Sequence, residues 1–198
     1  MVGTSWGARS AIVAIVAVLG LTLTASAAQA QTAPKWAVDP AHSQLLFESS
    51  AEGSAFEGRF ETWDADIRFD PKQLGQSKVV VTVDTGSAVT GDSSRDQSAH
   101  SSDWFSSAMF PKATFTASSF KDLGGGKFEA DGDLAIRGVS KPVSLPFTLS
   151  INGDQASMTG ETSLDRTLFG IGQGEYGGAD IVPVDVTVRV SIQAKLVK

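Results

Sequence analysis

Residues 143–164 read VSLPFTLSINGDQASMTGETSL and carry the clearest fold signal in the chain. Apolar side chains occupy every second position from Val143 to Ile151, and a second alternating run follows from Met158 to Leu164. Alternation with a period of two is typical of a strand that is buried on one face. The dipeptide Asn152-Gly153 stands between the two runs and is a strong signal for a tight turn. The segment therefore predicts two antiparallel strands joined as a hairpin.

The same alternation recurs on both sides of this hairpin and predicts about eight strands in all. The further runs are 45–49, 65–69, 79–83, 113–117, 128–134 and 182–192. Short turns rich in Gly, Pro, Asn or Asp join most of them, and such spacing indicates a sandwich or a barrel. We predict an all-β fold, an eight-stranded antiparallel barrel.

One polar and then aromatic segment, Thr90–Pro111, interrupts the strands. We predict a short helical insert there, near Ser93–Ser98 or Ser102–Ser107. Its aromatic side chains, which we expect to form a plug or lid over the barrel, are Trp104, Phe105 and Phe110.

The apolar strand faces alternate large residues, such as Phe47 and Phe115, with small ones, such as Ala65 and Gly160. Small residues on inner faces leave room for a ligand, or they fill the taper of a fully packed barrel. The pattern leaves both interpretations open.

The N-terminus has the three parts of a secretory signal peptide. A short segment with Arg9 precedes the apolar run Ala11–Leu23, and Ala28-Gln29-Ala30 fits a cleavage site. An uncleaved anchor is the alternative, but the run is short of the ~20 residues that a spanning helix needs. We predict a signal peptide over residues 1–30, cleavage near Ala30 and an exported, periplasmic domain over residues 31–198.

Composition argues against most catalytic chemistry. The 198 residues include no cysteine and only two histidines, His42 and His100, which excludes thiol nucleophiles and zinc–thiolate sites. Carboxylates are spread along strand exteriors and turns, so we predict no metal site, no catalytic residues and no enzymatic activity. The net charge of −6 argues against nucleic acid as a partner, because proteins that bind duplexes are normally basic.

Arg166 supports two interpretations, because it lies beside the aromatic loop Leu168–Phe169. It contacts a polar head group at the barrel mouth, or it caps the loop that follows. Residues 170–174 (GIGQG) lack the Lys-Ser/Thr and the helix of a phosphate-binding loop, so they predict a simple connection.

Longer motifs occupy residues 36–50 (WAVDPAHSQLLFESS), 57–71 (EGRFETWDADIRFDP), 90–120 (TGDSSRDQSAHSSDWFSSAMFPKATFTASSF), 132–147 (GDLAIRGVSKPVSLPF) and 162–176 (TSLDRTLFGIGQGEY). In this order they resemble the YceI-like family, the lipocalin-like polyisoprenoid-binding proteins of bacteria. The resemblance covers nearly the whole chain after the predicted signal peptide. Ala51 and Ser98 stand where many members carry histidine, so no head-group or metal role is assigned to those two positions.

The resemblance implies an extended lipocalin-like barrel that holds a polyisoprenoid, a quinone-type tail or a similar amphiphile in an elongated apolar pore. It implies no cofactor other than such a bound lipid. The residues that we expect to bind the ligand come from the inner strand faces and the insert: Phe47, Phe69, Val81, Trp104, Phe105, Phe110, Phe115, Leu134, Phe147 and Val186.

Two functional hypotheses follow from the fold and the resemblance. The first is an exported lipid-binding protein for transport or storage of a long-chain isoprenoid or fatty amphiphile. The alternative is a periplasmic protein that docks on a membrane b-type cytochrome or another envelope partner without an obligatory ligand. A homodimer through a strand edge or a barrel rim stays open. A cavity of about 300–1,000 Å³ would favour the first hypothesis.

Overall fold

The computed structural model describes residues 1–3 and 32–198. Most of the predicted signal peptide, residues 1–30, therefore lies outside the described residues. The strands are β1 (Lys35–Val38), β2 (Gln44–Ala51), β3 (Ser54–Phe60), β4 (Trp63–Arg68), β5 (Lys78–Asp84), β6 (Ala88–Val89), β7 (Lys112–Gly124), β8 (Lys127–Ile136), β9 (Val139–Asn152), β10 (Gln155–Asp165) and β11 (Asp185–Leu196), and the helix α1 is Ser93–His100.

The hairpin predicted from residues 143–164 is formed by β9 and β10. Asn152 pairs with Gln155, so that two residues, Gly153 and Asp154, make the turn. Gly153 has φ 62°, a conformation that glycine adopts without a steric penalty. Met158 pairs with Leu149, which places the apolar alternations of both strands on one face of the sheet.

Three of the barrel strands are each built from two consecutive segments. A single 3₁₀ turn at Pro40–His42 separates β1 from β2, and both segments pair with β11. β3 and β4 are separated by two residues, and they pair with β2 and β1 respectively. β5 and β6 flank the 3₁₀ turn Thr85–Ser87 and pair with β4 and β3. The eleven segments therefore make eight barrel strands.

The barrel is an antiparallel meander in which each strand pairs with the next along the chain. β5 pairs with β7, and the pairing continues in sequence order from β7 to β11. β11 closes the ring by pairing with β1 and β2. The ring of β1, β4, β5 and β7 to β11 is thus closed, and β2, β3 and β6 extend it as a branch that ends at β6. The predicted all-β, eight-stranded antiparallel barrel with a short helical insert is confirmed.

The last strand begins later than its alternating sequence predicts. The pattern predicts a strand from Val182, but β11 begins at Asp185. The carbonyl oxygens of Val182 and Pro183 accept hydrogen bonds from the Arg166 guanidinium, at 2.8 and 2.9 Å. Pro183 also has no N–H to donate, so this segment cannot join the ladder.

The insert contains one helix, at the first of the two predicted places. The Asp92 side chain accepts hydrogen bonds from the backbone N–H groups of Ser94 and Arg95 and so caps α1. The other place, Ser102–Ser107, forms turns. Asp96 fixes the helix by accepting from the backbone N–H and the hydroxyl of Thr90, both at 2.7 Å. In the described part of the chain, no helix is long and apolar enough to cross a membrane.

Gly132 on β8 lies where the barrel has no room for a side chain. A Cβ there would lie 2.4 Å from the carbonyl oxygen of Thr116 and 2.9 Å from the Cα of Ala117. Both are backbone atoms of the paired strand β7, so neither moves without deforming the ladder. We predict that Gly132→Ala lowers the free energy of unfolding by about 1–3 kcal/mol, measured by urea denaturation.

Gly75→Ala is the matched control, because a Cβ at Gly75 would meet no atom within 4 Å. It should change stability by less than about 0.5 kcal/mol. Equal losses in the two variants would contradict this account of Gly132.

Candidate functional site: an apolar cavity in the barrel

The barrel encloses a cavity of about 650 Å³, which lies within the range of small-molecule binding sites. All eight barrel strands contribute inward side chains to its wall, and most of these are aliphatic or aromatic. The sequence left open whether the barrel is fully packed or leaves room for a ligand. The structure has room for a ligand.

Nine of the ten residues predicted to bind a ligand lie on the cavity wall: Phe47, Phe69, Val81, Trp104, Phe105, Phe115, Leu134, Phe147 and Val186. Inner-face alternation identified seven of them, and the aromatic insert supplied Trp104 and Phe105. Their contact with a ligand stays a prediction.

Phe110 is the exception, and its predicted place in the lid is corrected. Its ring lies outside the cavity, below the guanidinium of Arg137 at 5.9 Å. Its carbonyl oxygen accepts a 2.7 Å hydrogen bond from the hydroxyl of Thr85, which is fully buried. This anchor fixes the backbone just before β7, and the ring then packs beside Gly138 instead of over the barrel.

One end of the cavity is closed by a cluster of aromatic rings. Phe69 lies at its centre, with ring centroids 5.3, 5.6 and 6.0 Å from those of Phe120, Phe128 and Phe147. The Trp36 indole N–H donates to the Phe69 carbonyl oxygen at 3.0 Å, which uses the one polar atom of that side chain. We call this closed end of the cavity the floor. Its side chains are apolar, and the indole N–H of Trp36 already has a hydrogen-bond partner.

The other end, the mouth, is formed by α1, the β2–β3 turn and the segment between β10 and β11. Most of the polar residues that line the cavity lie here: Glu52, Thr90, Asp92, Ser94, Arg95, Ser98 and Tyr176. Arg95 lies over the Phe56 ring at 4.3 Å and links the helix to β3. The rings of Trp104 and Tyr176 pack against each other at 5.4 Å. The cavity is thus apolar along its length and polar at one end.

Arg166 organises the segment that forms one side of the mouth. It is 3% exposed, and its guanidinium donates to six backbone carbonyl oxygens, those of Ile171, Gly172, Tyr176, Gly178, Val182 and Pro183. The Trp104 ring covers it at 5.3 Å, and burial lowers the pKa of the guanidinium. Of the two roles that the sequence supports for Arg166, the structure shows the loop-capping one.

Comparison with known protein families matches residues 36–195 to the YceI-like domain. The chain belongs to the YceI-like family. A relative from Vibrio parahaemolyticus, a UPF0312 protein, is 36% identical over 138 residues, which is 66% of this chain and 73% of the relative. A UPF0312 protein from Vibrio vulnificus is 33% identical over 161 residues, 77% of this chain and 85% of the relative.

Solved structures of other bacterial proteins share the fold. The crystal structure of Burkholderia cenocepacia BcnA matches with a TM-score of 0.77 and 30% identity, covering 80% of this chain and 99% of BcnA. A polyisoprenoid-binding domain from Saccharophagus degradans matches with a TM-score of 0.65 and 16% identity, covering 83% of this chain and 99% of that domain. At 16% identity the second likeness concerns the fold alone.

The histidines of this YceI-like chain lie away from the cavity wall. His42 Nδ1 lies 2.8 Å from the Asp39 carboxylate on an exposed turn. His100 is the last residue of α1, and its Nε2 lies 3.0 Å from the Ala88 carbonyl oxygen. Within residues 1–3 and 32–198, no group of three His, Asp or Glu side chains is placed to hold a metal ion.

Sequence analysis missed several wall residues, notably Phe56, Phe60, Arg95 and Tyr176. The first two had a usable signal, because Phe56, Gly58 and Phe60 alternate as a strand does. Gly58 pairs with Phe47, whose ring lies directly over it and leaves no space for a side chain there. Arg95 and Tyr176 had none, since the helix and the loop that bring them to the mouth are far apart in the sequence.

We predict that Arg166→Met destabilises the protein by at least about 3 kcal/mol, because it leaves buried carbonyl oxygens without donors. Arg189→Met is the matched control: Arg189 is an outer-face arginine that pairs with Glu48 and Glu161. Exposed ion pairs contribute about 0–1 kcal/mol, so this variant should lose no more than that. Guanidinium chloride denaturation measures both, and equal losses would show that Arg166 does not hold the loop.

Proposed function

We propose that this protein is an exported carrier that holds a polyisoprenoid or a similar long-chain amphiphile, quinone-type lipids included, in the barrel cavity. The observation that carries the proposal is the 650 Å³ cavity with an apolar wall, an aromatic floor and a polar mouth. This arrangement matches the shape of an amphiphile, with an apolar chain inside and a polar head at one end.

The energetics of such binding need few polar contacts. Burying hydrocarbon contributes about 0.8 kcal/mol per CH₂ group. Three isoprene units would contribute roughly 10 kcal/mol before the entropy cost of association is subtracted. Membership of the YceI-like family supports the same role, as does the fold shared with a domain described as polyisoprenoid-binding.

The proposed role is binding and not catalysis. A hydrolase of this kind would need a base, a nucleophile and oxyanion donors that converge on one point. His42 lies on an exposed turn and His100 faces a backbone carbonyl, so neither presents a base to the cavity. The wall is dominated by side chains without acid–base chemistry.

The location and the alternative function stay predictions. We propose export to the periplasm with cleavage near Ala30, on the strength of the N-terminal sequence alone. Docking on a membrane b-type cytochrome or another envelope partner, and pairing as a homodimer, remain the alternative for a protein whose cavity stays empty.

Mass spectrometry of the protein expressed with export tests the proposal directly. The denatured mass should correspond to a chain that begins at Gln31, and the native mass should exceed it by one lipid. Solvent extraction should then release a stoichiometric isoprenoid or quinone. A native mass equal to the denatured one, unchanged after incubation with long-chain quinones and polyprenols, would contradict the carrier function and favour docking.

A cavity-filling pair of variants tests where the lipid binds. Ala65 lines the cavity, whereas Asp64, the next residue on β4, is exposed on the outer face. We predict that Ala65→Phe weakens lipid binding at least about tenfold, because the ring displaces two or more CH₂ groups of the chain. Asp64→Phe adds the same ring outside and should leave affinity unchanged. Equal affinities in fluorescence titrations would place the lipid elsewhere.

A further inference from the structure

The polar head of a bound amphiphile has one place to lie, which is the mouth. The floor offers it no partner, since the Trp36 N–H is already bonded and the surrounding side chains are phenylalanines. The polar residues of the wall lie at the opposite end, around α1 and the β2–β3 turn. The chemistry of those residues therefore selects the head group.

Arg95 is a charged donor at the mouth that is open to a head group, and the buried indole N–H of Trp104 is a second wall donor without a hydrogen-bond partner. The Arg95 guanidinium is half-buried over Phe56, and its side chain makes no hydrogen bond or ion pair with the residues that the structure describes. Arg166, by contrast, uses its guanidinium on six backbone carbonyl oxygens. A guanidinium presents several N–H groups and binds an acceptor such as a carbonyl, a hydroxyl or a phosphate oxygen.

The charges around Arg95 decide between these acceptors. Glu52 and Asp92 line the same cavity as Arg95. Tyr176 lines the same cavity, and the carboxylates of Glu175, Asp103 and Glu52 raise the pKa of its phenol. Two carboxylates, those of Glu52 and Asp92, thus line the cavity with Arg95, whereas the guanidinium of Arg166, the other arginine of the wall, is held by backbone carbonyl oxygens. An anionic head would gain one attractive partner and face several repulsive ones, whereas a neutral acceptor would keep the hydrogen bond to Arg95 without the repulsion.

We propose that Arg95 and the surrounding carboxylates make the cavity selective for lipids whose head group accepts a hydrogen bond and carries no negative charge. Quinone carbonyls and alcohols have this chemistry, and phosphates and carboxylates do not. The proposal rests on the lipid-binding function proposed above and adds the class of head group.

The test compares geranylgeraniol with geranylgeranyl monophosphate, which share one chain and differ only in the head. Intrinsic tryptophan fluorescence reports binding, because Trp36, Trp63 and Trp104 all line the cavity. At low salt the alcohol should bind at least about tenfold tighter than the phosphate. Added salt should narrow this ratio of alcohol affinity to phosphate affinity, because it screens the repulsion between the phosphate and the carboxylates.

Charge variants test the source of the selectivity. Glu52→Gln combined with Glu175→Gln should narrow the ratio of alcohol affinity to phosphate affinity severalfold, chiefly by strengthening the binding of the phosphate. Asp133→Asn, on the exposed outer face of β8, is the matched control and should leave the ratio as it is. Asp92 stays unchanged in these variants because it caps α1.

Arg95→Met separates a head-group contact from a structural role. It should weaken the binding of geranylgeraniol about tenfold and leave the binding of the C20 hydrocarbon phytane unchanged. A loss of affinity for both would show that Arg95 only shapes the mouth, and would overturn its assignment. Equal or tighter binding of the phosphate would overturn the charge selectivity while the carrier function stands. Binding of no lipid at all would overturn the carrier function and this inference with it.

Discussion

Closure of the sheet by β11 on β1 and β2 is the constraint on which the rest of the molecule depends. A closed eight-stranded barrel has a fixed girth, so the volume of its inward side chains decides whether the interior is packed or hollow. Here small residues such as Ala65, Ala113 and Ala156 line the cavity together with larger aliphatic and aromatic residues, and about 650 Å³ remains open. The outer face carries the charged pairs, and the inner face is left free for an apolar chain.

The two ends of the barrel are built by different means. Aromatic rings around Phe69 close the floor without any help from loops. The mouth depends on loops, and these are fixed by polar contacts: Arg166 holds residues 171–183, and Asp96 with Thr90 holds α1. A rigid floor and a loop-built mouth are what a one-ended pocket for an amphiphile requires. The solved structures similar to this chain share the fold, and the head-group selectivity that we propose for this chain depends on its mouth.

Period-two alternation predicted the fold and most of the cavity wall, because a strand side chain has only two directions in which to point. The predicted start of the last strand at Val182 was wrong. The carbonyl oxygens of Val182 and Pro183 accept hydrogen bonds from the Arg166 guanidinium instead of from a neighbouring strand. The alternation said nothing of Phe110, whose position follows from the buried Thr85 hydrogen bond. The positions of Arg95 and Tyr176 on the wall could not be predicted from the sequence, since they lie outside the alternating strands and tertiary contacts set their neighbours. Family resemblance supplied the ligand class that the residues alone left open.

The central claim is that the cavity exists to hold one elongated apolar chain with its polar end at the mouth. A crystal structure of the exported protein, purified without detergent or added lipid, tests it most directly. We predict continuous tubular density from the rings around Phe69 to the guanidinium of Arg95. A barrel that has collapsed onto its own side chains, or one filled with ordered water, would contradict the account.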